Sequence, residues 1–369
     1  MISTIKQNTN QRHKQYIPDF TLNELIDFVK SIGEKEYRAK QIFECVHQRC
    51  AADFREMTNL SKALQNTLVE TADISRLILL KDLQSDDGAR KFLFTLRDGY
   101  TIETVYIPEN QPKADPPPAE KRKTLCISSQ VGCALKCSFC ATGMMGFYRN
   151  LSAGEIIDQF LTAARIIGEK ITNVVFMGMG EPFMNYDNVL KAADIINDPN
   201  GYGLGVRHIT ISTIGLIHRI EQFLSEGKKY KLALSINAGT QSMREVLMPI
   251  TKKHPLSQVS TILCSQPRKN RRPVTLEYVL LKDLNDTDRE IDALITFAKP
   301  LYVKINLIPY NPVDSAFSET GEERTQEIYR KIRSAGIHTN IRKSLGSNIQ
   351  AACGQLFAKQ SATKMTTMK

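Results

Sequence analysis

The 369-residue sequence contains no run approaching the ~18 uncharged apolar residues that a membrane span requires. Its first fifteen residues are polar, with no apolar core and no small-residue cleavage site, so no secretory signal is read there and the expected compartment is the cytoplasm. The compositional bias of a disordered chain is absent too: 42% of residues are apolar and 24% charged, which is ordinary for a globular protein. Cysteine is too sparse for a disulfide scaffold, with eight in the whole chain. Acidic charge is in deficit: 39 acidic residues against 49 basic give a net charge of +10. That imbalance favours polyanionic partners, nucleic acid first, with a solvated lysine-rich coat as the plain alternative. The length fits one large domain or two smaller ones.

The chain divides by pattern. Residues 1–15 read as a frayed, disordered tail. Thr21-Leu22-Asn23-Glu24 has the form of a capping box and precedes apolar residues at helical spacing. Two further amphipathic helices are expected over Tyr37–Val46 and Leu60–Leu68. The period then changes, and Lys91–Leu96 and Thr101–Ile107 alternate like a hairpin around Asp98-Gly99. Residues 16–107 are thus expected to form a small helical domain with a β extension. Residues 108–123, with Pro112, Pro116, Pro117 and Pro118 among charges, read as a linker. Beyond it, six short apolar runs alternate with amphipathic helical segments: Thr124–Ser128, Thr172–Met177, His208–Ser212, Leu232–Ile236, Val274–Leu281 and Val303–Ile308. The rhythm predicts an α/β fold, a parallel sheet in an open, partial (β/α)6 barrel over 124–357, with chemistry at the C-terminal strand ends. A flexible tail over 358–369 is expected to follow, the chain being polar and loose beyond Gln355.

The strongest local signal is Cys133-Ala-Leu-Lys-Cys137-Ser-Phe-Cys140, placed after the first barrel strand. Three thiolates on one tight loop suit a soft metal centre. Zinc and most iron–sulfur sites take four protein ligands, so three leave one position open to a small molecule. A zinc loop with a distant fourth ligand is the bland alternative. The Cx3CxxC spacing, with Phe139 before the third cysteine, resembles the radical SAM superfamily, in which the open iron of a [4Fe–4S] cluster chelates S-adenosylmethionine. Val175–Pro182, with Gly178, Gly180 and Glu181, closes the second strand. Glycines let backbone approach a ligand and a carboxylate accepts from an ammonium group, which matches the superfamily's methionine-binding segment.

Four segments narrow the resemblance: Thr124–Cys133, Met177–Pro182, Ile308–Pro312 and Ala351–Leu356. Together they resemble the RlmN/Cfr family of radical SAM RNA methyltransferases, from about residue 20 to residue 357, with a helical N-terminal domain of the kind that family uses on RNA. The resemblance implies two S-adenosylmethionine molecules per turnover and an external electron donor of flavodoxin or ferredoxin type. C2 of adenine is not a nucleophile, so Cys353 matches the residue that first takes the methyl group and then carries it to the base. Cys126 matches the thiol that resolves the protein–RNA adduct by closing a disulfide, and Glu103 the proton acceptor. Out of context, the two cysteines would read as packed small hydrophobes and Glu103 as a solvated carboxylate. Cys45, Cys50 and Cys264 match no motif and are assigned structural places.

Barrel logic adds Ser212, Ser235, Ile236, Asn237 and Asn311 as cofactor contacts at strand ends. Asn237 stands where the family has histidine, so altered binding of S-adenosylmethionine is expected. The 110–123 segment is longer than the family's connection, and it leads directly to Cys126. On the RNA side, Arg268–Arg272 is a basic run between a helix and the fifth strand. Gly146–Leu151 and Tyr37–Gln41 place aromatics beside cations, where a splayed base could stack. The leading expectation is an adenine-C2 methyltransferase acting as a monomer on 23S rRNA at the peptidyl transferase centre and on the tRNA anticodon loop. C8 methylation of the Cfr type is the runner-up: Glu103–Glu109 leans to the first, Ala141–Gly143 and Ser212–Gly215 to the second. A non-catalytic RNA-binding protein with a structural metal site is the alternative of another class.

Overall fold

The computed structural model describes residues 14–74, 77–109, 121–265, 272–313 and 316–357. The expected tails at 1–13 and 358–369, most of the proline-rich linker (110–120) and Arg268–Arg271 of the basic run lie outside the described residues.

The N-terminal unit contains α1 (Leu22–Ser31), α2 (Tyr37–His47) and α3 (Lys62–Thr71). The expected capping box starts α1, with Thr21 and Glu24 satisfying each other's backbone N–H groups. Leu25, Val29, Ile42, Phe43, Val46, Leu64 and Leu68 recur at helical spacing and are buried. Gln15–Tyr16 pairs in parallel with Ala72–Asp73, so residue 15 belongs to the fold and not to the tail.

Ten strands form one sheet whose spatial order follows the chain. They are β1 (Ile78–Gln84), β2 (Arg90–Thr95), β3 (Thr101–Pro108), β4 (Lys123–Cys126), β5 (Asn173–Phe176), β6 (Ile209–Thr213), β7 (Lys231–Ser235), β8 (Val274–Leu280), β9 (Val303–Pro309) and β10 (Thr339–Ile341). From β4 to β10 the pairing is parallel; from β1 to β4 it is antiparallel. The expected β extension therefore continues the barrel sheet, through Val105 opposite Cys126, instead of standing on the helical domain. It holds three strands where the sequence pattern suggested two. The six strand–helix units are followed by β10, a seventh parallel strand too short and polar to register in the sequence. Among the described residues, no helix is long and apolar enough to cross a membrane.

The helix Ala153–Ile167 joins the two parts. A second capping box, Ser152 with Glu155, starts it, and Gly168 in the left-handed region ends it. Its buried Asp158 accepts from the Tyr16 hydroxyl at 2.7 Å and from the Leu77 N–H at 3.2 Å. The next residue of the same helix, Gln159, accepts from the Ser128 N–H and the Thr104 hydroxyl, tying β3 to the loop after β4. The two described residues after Gln355 are held: Leu356 is buried, and the Phe357 N–H bonds the Glu103 carboxylate at 3.0 Å.

Candidate active site

Strand side chains alternate between faces, so every second residue of a barrel strand points inward. Cys126, Ser212, Ser235 and Ile308 occupy inward positions near the C-terminal strand ends, with Met177 one residue past β5. A cavity of about 160 Å³ opens there, lined by Gly180, Glu181, Ser212, Ser235 and Asn237, with Cys140 and Cys353 on its wall. The glycines are required. A Cβ on Gly178 would lie 2.7 Å from the Ile127 backbone, and Gly180 sits at φ +98° with its Cβ position 2.5 Å from Gln130. Glu181 is buried; one oxygen accepts from the Phe183 N–H and the other from the Ile214 N–H, both at 3.0 Å. Burial pushes its carboxyl up to about 7 against those bonds and that of Thr213.

Asn237 is placed by its backbone. Its φ of +52° is a conformation that asparagine tolerates better than most residues. Its side-chain oxygen accepts from the Val279 N–H at 2.9 Å, tying the end of β7 to β8. Ile236 and Asn311 stand differently from the expected cofactor contacts. Ile236 is 1% exposed, with its N–H on the Glu277 carbonyl. Asn311 donates to the Cys353 carbonyl at 3.3 Å, so it anchors the cysteine loop.

Cys133, Cys137 and Cys140 are free thiols on a compact loop. The Cys140 N–H returns to the Cys137 carbonyl, Lys136 adopts φ +53°, and Ser138 N–H reaches Leu247 O. Burial raises all three thiols, and the neighbouring cysteines raise Cys137 further. Three thiols on one loop are the kind of soft donor set that an iron–sulfur cluster takes, each thiolate meeting a different iron. Arg244 packs behind this loop, 1% exposed. It donates to the Ile214 and His254 carbonyls, and it opposes the rise of the Cys137 thiol.

Cys126 and Cys353, 227 positions apart in the numbering, line one cavity of about 90 Å³ together with Cys140 and Arg342. The pair is reduced, so the expected disulfide is not formed here. Burial pushes the Cys126 thiol up to about 12, with Cys353 adding to the shift and Arg342 opposing it. Glu103 is not on the cavity wall. Its carboxylate is 3.0 Å from Lys91 Nζ and accepts from Phe357 N–H, directly behind Leu356, which lines the cavity. Burial raises its pKa, and Lys91 holds the rise down.

Lys91, Arg244, Glu277 and Arg342 escaped sequence reading. Glu277 lies on an inward position of β8, buried, one oxygen bonded to Asn306 at 3.0 Å and the other without a hydrogen bond, 3.6 Å from Arg342. An acid inside a β-branched strand was the available signal. Lys91 carried the same signal on β2. Cys45 is buried and bonded to Asn59, but Cys264 is exposed, so packing does not account for it. Of the RNA-facing candidates, Phe147 and Tyr148 are exposed, whereas Arg149 is held by Glu155 and Asp98 and is not free to clamp a base. Tyr37 is exposed with Arg38 stacked on its ring at 4.8 Å.

Comparison with known proteins agrees with this geometry. Residues 17–74 match the model of the ribosomal RNA large subunit methyltransferase N-terminal domain, and residues 127–295 match the radical SAM superfamily. The dual-specificity RNA methyltransferase RlmN of Syntrophobacter fumaroxidans is 41% identical over 93% of this chain and 98% of its own length. A probable RlmN from Thermotoga sp. strain RQ2 is 42% identical over 93% and 97%. The crystal structure of a radical SAM methyltransferase from Sphaerobacter thermophilus superposes with a TM-score of 0.87 at 38% identity, covering 94% of this chain and all of that one.

Proposed function

The chain belongs to the RlmN family of radical SAM RNA methyltransferases, and from that membership we propose that it methylates C2 of adenosine in 23S rRNA and in tRNA. The methyl group passes through Cys353 and a transient covalent protein–RNA adduct, and each turnover uses two S-adenosylmethionine molecules. One observation carries the reading: two thiols far apart in the sequence meet in a single small cavity, beside the third cysteine of the triplet. A structural role for either thiol explains neither their meeting nor the adjoining cavity.

Cys133, Cys137 and Cys140 hold the cluster, which when bound supplies the electron that splits S-adenosylmethionine. Gly180, Glu181, Ser212 and Ser235 orient the cofactor, the glycines by close approach and the others by hydrogen bonds. Cys353 takes the methyl group by displacement, and the Arg342 guanidinium lines the same cavity. Cys126, with its raised pKa, stays a neutral thiol at rest and does not close a disulfide before the adduct forms. Glu103 accepts the proton from the attacked carbon once the 350–357 segment shifts and releases its carboxylate from the Phe357 N–H. The adenine must be unstacked to reach this depth, which favours looped or flipped-out nucleotides.

The test compares Cys126→Ala with Cys353→Ala by denaturing electrophoresis, with and without nuclease. Cys126→Ala accumulates RNA-linked protein that nuclease collapses; Cys353→Ala forms none. A shift in both mutants, or in Cys353→Ala alone, reverses the roles. Mass spectrometry of nucleosides from treated RNA separates 2-methyladenosine from 8-methyladenosine.

A further inference from the structure

A further cavity lies away from the thiols. A space of about 570 Å³ opens at the N-terminal strand ends, the opposite mouth of the barrel. It shares Met177 and Arg342 with both smaller cavities, so the three spaces meet at those side chains. Strand alternation sets its chemistry. On β7 the inward row runs Lys231, Ala233, Ser235; on β9 it runs Lys304, Asn306, Ile308. Each row begins with a cation at the open mouth and ends with a small or apolar group at the cofactor end.

The cations crowd one another. Lys231 is half-buried, and burial pulls its ammonium down to about 8, with Lys304, Arg122, Arg272 and Arg207 each lowering it further. Among the described residues neither Lys231 nor Lys304 has a hydrogen-bond or ion-pair partner, although other lysines of this chain are paired. The two carboxylates at this mouth face other groups of its lining: Glu109 accepts from the Arg122 N–H at 2.9 Å, and Glu277 accepts from Asn306 and lies 3.6 Å from Arg342. Half-buried lysines without a partner weaken the fold, and an anion that binds between them accounts for their placement.

Resting on the RNA-methyltransferase reading, we propose that the target nucleotide enters through this N-terminal mouth and that Lys231 and Lys304 hold a backbone phosphate of the RNA beside it. The base then extends past Met177 and Arg342 towards Cys126 and Cys353, while its phosphate stays at the rim. Phosphate contacts set position and register, and the sequence-independent part of affinity follows from them.

The experiment uses full-length, cluster-reconstituted protein carrying Lys231→Met with Lys304→Met. It measures methylation of Cys353 by S-adenosylmethionine without RNA, then steady-state kinetics and filter binding on protein-free 23S rRNA over a salt series. Cys353 methylation stays at the wild-type level. KM and the RNA dissociation constant rise about tenfold, as the loss of charge-assisted bonds predicts, and kcat changes less than about twofold. The log–log salt slope becomes shallower by roughly 0.7 to 0.9, the increment for one phosphate contact. Arginine at both positions restores binding, and Lys299→Met, an exposed change on a helix end, behaves as wild type. Unchanged KM and salt slope overturn the proposal. Loss of Cys353 methylation in the double variant also overturns it, because the lysines would then serve the cofactor or the fold. If the wild type binds rRNA but does not methylate it, the functional reading fails, and the filter-binding arm still decides the fate of the lysines.

Discussion

Lys91 and Lys231 are inward lysines on the same sheet, at opposite ends of the barrel, and their surroundings differ in kind. Lys91 is buried at the thiol end, 3.0 Å from Glu103 and 3.1 Å from the Gln350 carbonyl. Lys231 is half-buried at the other mouth among cations. The thiol end uses directed bonds: both oxygens of Glu181, the Asn237 amide and the Glu103 carboxylate have named partners. At the mouth, Lys231 and Lys304 have no hydrogen-bond or ion-pair partner among the described residues. Small molecules with fixed donors and acceptors suit the first kind of site, and a flexible polyanion suits the second.

The contrast is sharpest in substitutions of one type and opposite sign. Lys91→Met leaves Glu103 buried without its cation and destabilises the protein by about 3–5 kcal/mol at neutral pH. The Glu103 carboxyl is already raised by burial and rises further without Lys91. A raised acid folds most favourably while protonated, so the penalty shrinks towards pH 4 and grows as pH rises through the folded pKa. Urea unfolding at pH 5 and pH 7.5 measures it; a pH-independent loss below about 1 kcal/mol would erase the distinction between the two ends.

A second substitution probes how tightly the thiol end is built. Gly178→Ala places a methyl group 2.7 Å from the Ile127 backbone, which flexible side chains cannot relieve. We expect a loss of about 3 kcal/mol and a lower melting temperature. A neutral result would show that the ends of β4 and β5 separate easily.

Asn237→Ala removes the bond to the Val279 N–H and places a less tolerant residue at φ +52°, with an expected cost of about 1–2 kcal/mol. Asn237→Gly keeps the backbone conformation and separates the two contributions in the same melting assay.

The smallest effect has the opposite sign. Lys231→Met stabilises the protein by about 1 kcal/mol, a figure held low because solvent screens a half-exposed ammonium. The folded ammonium titrates near 8 against 10.5 in the unfolded chain. Below pH 8 it is charged in both states and its burden on folding is full; between pH 8 and 10.5 the burden fades. The variant's advantage over wild type is therefore largest at neutral pH and gone near pH 10.5. Destabilisation by Lys231→Met would mean that the mouth holds an internal partner for this lysine.

Legibility in the sequence followed how local each signal is. Thr21 with Glu24 makes a cap within one helical turn, and it forms as expected. The strand–helix rhythm gave six barrel units because each strand is a contiguous apolar run. β10 escaped because three residues, Thr339-Asn340-Ile341, carry no period of their own and are strand only beside β9. The β extension was assigned to the wrong neighbour, since Val105 and Cys126 pair across a linker whose length conveys nothing about where its ends meet.

The chain's order of residues determined which chemical groups are available: a three-thiolate loop, glycines at a strand end, two further cysteines and a surplus of cations. Those properties are local or additive, and a sequence carries them unaided. Tertiary structure decided which groups meet. It brought Cys126 to Cys353, fastened Glu103 to Lys91 behind the cavity wall, enclosed Arg244 by the cysteine loop, and gathered cations at the far mouth of the barrel. Such meetings depend on how strands register and twist across the whole sheet, and that is a cooperative outcome of packing which no single segment encodes.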